Sequence, residues 1–103
     1  MNPFEQLPTH TFLAPMAGVT DKPFRQMVRH FGNHLIYTEM ISATSLVYGS
    51  KNTERMVDLS DEAEPVAVQL VGNNPQDMAK AAQIAQKNGA FLIDINMGCP
   101  VRK

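Results

Sequence analysis

The single cysteine of the chain, Cys99, follows an apolar run that ends on polar residues: Phe91-Leu92-Ile93-Asp94-Ile95-Asn96-Met97-Gly98-Cys99-Pro100. A thiol shown on a glycine–proline turn just past a strand can give up a proton or attack an electrophile. A free thiol has a pKa of about 8.5 and is mostly protonated near pH 7. Without a cation or helix N-terminus to favour the thiolate, Cys99 suits a general acid better than a nucleophile. The competing reading is a small buried hydrophobe, the usual state of a lone cysteine.

Further polar groups occupy corresponding places. Asp94 and Asn96 are two residues apart on a strand and so share a face. Asn96, nearer the tip, suits holding a ring; Asp94 needs a partner when buried and reads as a support. Gln69 interrupts Val66-Ala67-Val68-Gln69-Leu70-Val71. Its amide can donate and accept along one edge, which matches the N–H and carbonyl edge of a flavin or pyrimidine, or else it bonds neighbouring backbone. Pro15-Met16-Ala17-Gly18 offers small side chains and the amides of Met16 and Ala17 to a flat ligand, or is simply a strand entering a turn. Glu39 either borders the same site or is a solvated loop charge. Lys22, Arg25 and Arg29 flank one helix and read as a solvated face, with phosphate contact as the alternative.

These groups need elements to position them. Nearly continuous apolar runs predict strands over residues 12–16, 35–38, 66–71 and 91–95, of the kind buried on both faces in parallel sheets. Between the first two, Thr20 or Asp21 can cap a helix with Pro23 in its first turn. Phe24, Met27, Val28 and Phe31 give that helix an apolar stripe, and Gly32 can close it. A second helix starts at Asn74-Pro75, carries Met78, Ala81, Ala82 and Ala85 on one face, and stops near Asn88-Gly89. Its alanines predict close packing on a sheet. Residues 42–48 can form a short helix, whereas 50–65 read as a polar, charged connection. Strand–helix–strand alternation implies a parallel α/β sheet. No G-x-G-x-x-G follows the first strand, and each strand leaves a polar or small group near its C-terminal end, where barrel enzymes place their sites. The predicted fold is therefore α/β, about half of a (β/α)8 TIM barrel, with residues 1–103 forming part of one domain; the resemblance given below implies that this is its N-terminal portion.

With 44% hydrophobic and 18% charged residues, the composition is that of an ordinary globular protein. A net charge of −1 gives no electrostatic reason to expect nucleic acid or anionic membrane on this part of the surface. One cysteine permits no intrachain disulfide, and His10, His30 and His34 lack metal-ligand spacing, so no metal is expected. The N-terminus lacks the pattern of a signal peptide, and no apolar run approaches the roughly 20 residues that span a bilayer. A cytoplasmic protein without membrane contact is expected.

Taken together, Ala14-Pro15-Met16-Ala17-Gly18-Val19-Thr20-Asp21 with Phe24-Arg25, Thr38-Glu39-Met40, Val68-Gln69-Leu70-Val71-Gly72 and Asp94-Ile95-Asn96-Met97-Gly98-Cys99-Pro100 resemble the tRNA-dihydrouridine synthases, from about residue 12 to residue 103. The resemblance implies an FMN-dependent barrel enzyme that uses NADPH to reduce a uridine of tRNA to dihydrouridine. It implies that Pro15, Met16 and Ala17 line the flavin, that Gln69 hydrogen-bonds it, that Asn96 helps hold the uracil, and that Cys99 is the proton donor. The family's flavin-contacting lysine and histidine, phosphate loops and C-terminal helical domain fall beyond residue 103. The chain alone is accordingly expected to hold FMN weakly or not at all, and to self-associate through unfinished sheet edges. The rivals are another FMN barrel acting on a free pyrimidine, in the manner of dihydroorotate dehydrogenase, and a half barrel without catalysis.

Overall fold

Four parallel strands hydrogen-bond in chain order: β1 (Phe12–Leu13), β2 (Leu35–Ser42), β3 (Val66–Val71) and β4 (Leu92–Ile95). The computed structural model describes residues 2–32 and 34–98. Sequential order without reversal separates this sheet from doubly wound folds, whose strand order turns back at a switch point. It is the winding of a (β/α) barrel, here in part.

Helix α1 (Lys22–Arg29) links β1 to β2, α2 (Ala43–Val47) and α3 (Lys51–Val57) follow β2, and α4 (Pro75–Lys87) links β3 to β4. Each helix opens on a side chain that accepts an otherwise orphaned backbone N–H: Asp21 from Phe24, Ser42 from Ser45, Ser50 from Thr53 and Asn74 from Asp77. Gly89, with φ 97°, closes α4 in the left-handed conformation that glycine takes without penalty. A 3-10 turn over Pro3–Gln6 precedes the sheet.

The core lies between one sheet face and α2, α3 and α4. Ile41, Val66, Val68 and Leu70 from the strands meet Ala43, Leu46, Val57, Ala81 and Ala85 from the helices. Ala81 and Ala85 are fully buried, which lets α4 approach the sheet as its alanine face predicts. A buried Val or Leu contributes about 1.5–3 kcal/mol, so this layer supplies the main apolar stabilisation.

Three expected element boundaries need revision. β1 ends at Leu13, because the Met16 amide is committed to the Thr20 hydroxyl rather than to a ladder. β2 runs on to Ser42, because its pairing resumes as Met40↔Gln69, Ile41↔Leu70 and Ser42↔Val71. The stretch 50–65 contains α3, whose Ser50 cap and buried Thr53 and Val57 are thinly spread among charged residues.

Helix α1 departs furthest from expectation. Phe24 and Val28 are half-buried, but Met27 and Phe31 stand out at 58% and 80% exposure. Its polar residues dock instead. Lys22 reaches Ser60 Oγ, Arg25 meets Glu62, Gln26 donates to Asp61 O, and Arg29 donates to the carbonyls of His34 and Pro65. Positions 22, 25, 26 and 29 follow helical spacing, so this polar stripe is the seam by which α1 is held, with Arg25 and Arg29 committed to it rather than to a solvated face.

Candidate functional site

Parallel pairing brings all four strand C-termini to one rim. Ala67↔Leu92 and Gln69↔Asp94 are in register, so Gln69 and Asp94 lie side by side on the face opposite the helical core. The Gln69 Nε2 donates to Asp94 Oδ2 at 2.6 Å. Asn96, on the same face, donates through Nδ2 to Gln69 Oε1 at 3.4 Å and approaches Met40 Sδ at 3.5 Å, while its own Oδ1 accepts from Gly98 N at 3.0 Å. Asp94 thereby fixes which way the Gln69 amide points, and Gln69 does the same for Asn96. One N–H of Gln69 remains unassigned by this relay, so the amide keeps donor capacity.

A bulge in β2 completes this arrangement. Three steps along β2, from Tyr37 to Met40, match two along β3, from Ala67 to Gln69. The Thr38 hydroxyl takes the Gln69 N–H at 3.2 Å and donates to Glu39 O at 2.8 Å. The extra residue reverses the parity of the strand, as bulges at barrel rims do. Tyr37 and Met40 therefore both share the face of Gln69, and Ile41 drops into the core. Burial pushes the Tyr37 phenol up from its ordinary value, and the Asp94 carboxylate pushes it further in the same direction. Met40 is not legible from the sequence, because strict alternation from residue 35 would send it to the other face.

The Met16–Thr20 turn sits beyond β1 on the same rim. The buried Thr20 hydroxyl accepts from Met16 N at 3.1 Å and donates to Met16 O at 3.2 Å. Met16 O also takes the N–H groups of Val19 and Thr20. Gly18, with φ 73°, turns the chain so that its N–H reaches Glu39 Oε1 at 2.6 Å. Glu39 thus borders the site and ties the first turn to the second strand. Of the two amides the sequence offered to a ligand, Met16 N is already engaged; Ala17 N meets no acceptor among the described residues.

A cleft of about 770 Å³ opens beside Asn96, walled by Met40, Ser42, Thr44, Gly72 and Met97 among others. Asn96 lines it, whereas Pro15, Met16, Ala17 and Gln69 do not. Cys99 lies outside the described residues.

The family model described as dihydrouridine synthase (Dus) matches residues 12–103. The chain belongs to the dihydrouridine synthase family. The chain is 47% identical over 98 residues to a tRNA-dihydrouridine synthase B of Pasteurella multocida, covering 95% of this chain and 30% of that protein. Proteins of the same name from Pseudomonas aeruginosa and Vibrio cholerae are 43% and 41% identical over 97 and 98 residues, covering 94% and 95% of this chain. The chain spans about 30% of the length of these curated relatives. Membership accounts for the sequential parallel sheet as part of the dihydrouridine synthase barrel. Among the described residues, no helix is long and apolar enough to cross a membrane.

Proposed function

We propose that the chain is the N-terminal part of a tRNA-dihydrouridine synthase that reduces the C5–C6 bond of a uridine in tRNA, working in the cytoplasm with FMN and NADPH. The remaining strands and a C-terminal helical domain would follow residue 103. The observation that carries this reading is the Gln69–Asp94–Asn96 relay at the shared strand rim of a dihydrouridine synthase sheet.

The residues present fit a flavin. Gln69 is largely buried at 8% exposure, and its amide has one N–H beyond the bond to Asp94. Ala17 offers a backbone N–H, with Met16 and Pro15 beside it on the exposed turn. A bound FMN would supply the hydride chemistry for one carbon of the uracil C5–C6 bond, with NADPH as the reductant. Cys99 holds the proton that goes to the other carbon, which balances the reduction. Asp94 keeps the Gln69 amide directed, and Asn96 orients the uracil from the wall of the cleft. Alone, residues 1–103 would hold FMN weakly and associate through the outer edges of β1 and β4.

The test uses the full-length protein with unmodified tRNA, FMN and NADPH. Dihydrouridine should form, and Cys99→Ala should lower turnover by about 10²–10⁴, the usual contribution of a positioned acid, while flavin stays bound. Reduction of free uracil or oxidation of dihydroorotate, with tRNA untouched, would transfer the assignment to the free-pyrimidine enzymes.

A further inference from the structure

The guanidinium of Arg25 is buried and is held through all three of its nitrogens. Its Nε and Nη2 meet Glu62 Oε1 and Oε2 at 2.8 and 2.7 Å, and its Nη1 donates to Thr20 O at 2.8 Å. Both side chains of the ion pair are 3% exposed. We propose that Arg25, seated by Glu62, is a positioning residue that fixes the Met16–Thr20 turn and hence the flavin-facing backbone of Pro15, Met16 and Ala17. The proposal rests on the flavin reading above for its consequence, but not for its geometry.

Thr20 is clasped from two sides. Arg25 holds its carbonyl, and its hydroxyl closes on both the N–H and the carbonyl of Met16. Any movement of Thr20 therefore moves Met16. A planar guanidinium bound along one edge to a carboxylate has its other three N–H groups fixed in direction, and one of those on Nη1 meets Thr20 O. Glu62 thus sets where Arg25 can hold Thr20 O. Glu62 is itself set by the connection after α3, where its N–H bonds Leu59 O and Asp61 takes φ 64°.

Fastening α1 to that connection does not by itself call for an ion pair. Apolar side chains of similar volume commonly hold such a seam as well or better, since both charges must be desolvated. What an apolar pair cannot reproduce is the bond to Thr20 O. That bond separates a clamp on the turn from simple adhesion of the helix.

The experiment compares full-length parent protein with the double variant Arg25→Met/Glu62→Leu, which removes both charges and keeps the volume. The double variant should melt cooperatively near the parent. Its Val19 and Thr20 amides should exchange about tenfold faster and its FMN dissociation constant should rise about tenfold, the scale of one hydrogen bond from a charged donor, with the α4 amides unchanged. A folded double variant whose turn amides and FMN affinity match the parent would overturn the proposal. Where the double variant does not fold, Arg25→Lys gives the same two readings, because it keeps the charge beside Glu62 and loses the directed bond. If the parent binds no FMN, the flavin reading fails, and amide exchange alone decides whether Arg25 clamps the turn.

Discussion

The Gln69–Asp94–Asn96 row and the Met16–Thr20 turn occupy one rim of the sheet, yet they are positioned by different means. The row is placed by the ladder: β3 and β4 pair in register, and side chains of one parity meet without further help. The turn has no ladder beyond Leu13 and is held by contacts from distant parts of the chain. Glu39 reaches it from β2, and Arg25 reaches it from α1 with Glu62 behind. A group on a strand inherits its position from backbone pairing, whereas a group on a turn needs dedicated side chains. Damage to those side chains should therefore be costlier than damage to the row.

The largest effect should come from Glu62→Gln. It leaves the Arg25 guanidinium buried without a counter-charge, and breaking such a pair costs about 3–5 kcal/mol. Denaturant unfolding of parent and variant measures it, and a loss below about 1 kcal/mol, typical of an exposed pair, would remove the contrast between turn and row.

An intermediate pair of variants sharpens the contrast. Thr20→Val keeps shape but deprives Met16 N of its acceptor at a fully buried position, with an expected loss of about 1–3 kcal/mol. Gln69→Leu should cost less, about 0.5–1.5 kcal/mol, because Asp94 and Asn96 are only half-buried and can exchange the lost bonds for water. The same unfolding measurement ranks them, and a larger loss for Gln69→Leu would reverse the ordering of the two regions.

The same division decides what could be read from the sequence. Strand β3 appears as written, since Val66–Val71 is a continuous apolar run with one polar break. Asp94 and Asn96 share a face because parity is a property of the backbone, and the Asp21 and Asn74 caps are local chemistry. The bulge at Thr38 was not legible, because it depends on a hydroxyl replacing a carbonyl in the ladder with β3. The partnership of Arg25 with Glu62 spans 37 residues, and nothing local distinguishes these two charges from solvated ones. Helix α1 misled for a related reason: its apolar stripe is conspicuous, but its polar stripe docks. The proposed roles of Met16, Ala17, Gln69 and Asn96 are carried by the family resemblance together with the geometry around them, and those of Pro15 and Cys99 by the resemblance alone.

The smallest expected effect probes the row from within. Tyr37 shares its face with Asp94, and its phenol is raised first by burial and then by that carboxylate. In the full-length protein carrying isotope-labelled tyrosine, the Tyr37 phenol is the ring signal lost in a Tyr37→Phe variant, and its shift with pH follows that group alone. Its titration midpoint should lie above the ordinary value of about 10. The folded state then binds the phenolic proton more tightly than the unfolded state, so this contribution to stability is complete below pH 10 and is lost as the pH rises past it. Asp94→Asn should lower the midpoint without returning it to the ordinary value, because burial, the larger cause, survives the substitution. A midpoint that stays fixed on neutralising Asp94 would mean that the two side chains do not sense each other across β3, and the row would lose Tyr37 as a member.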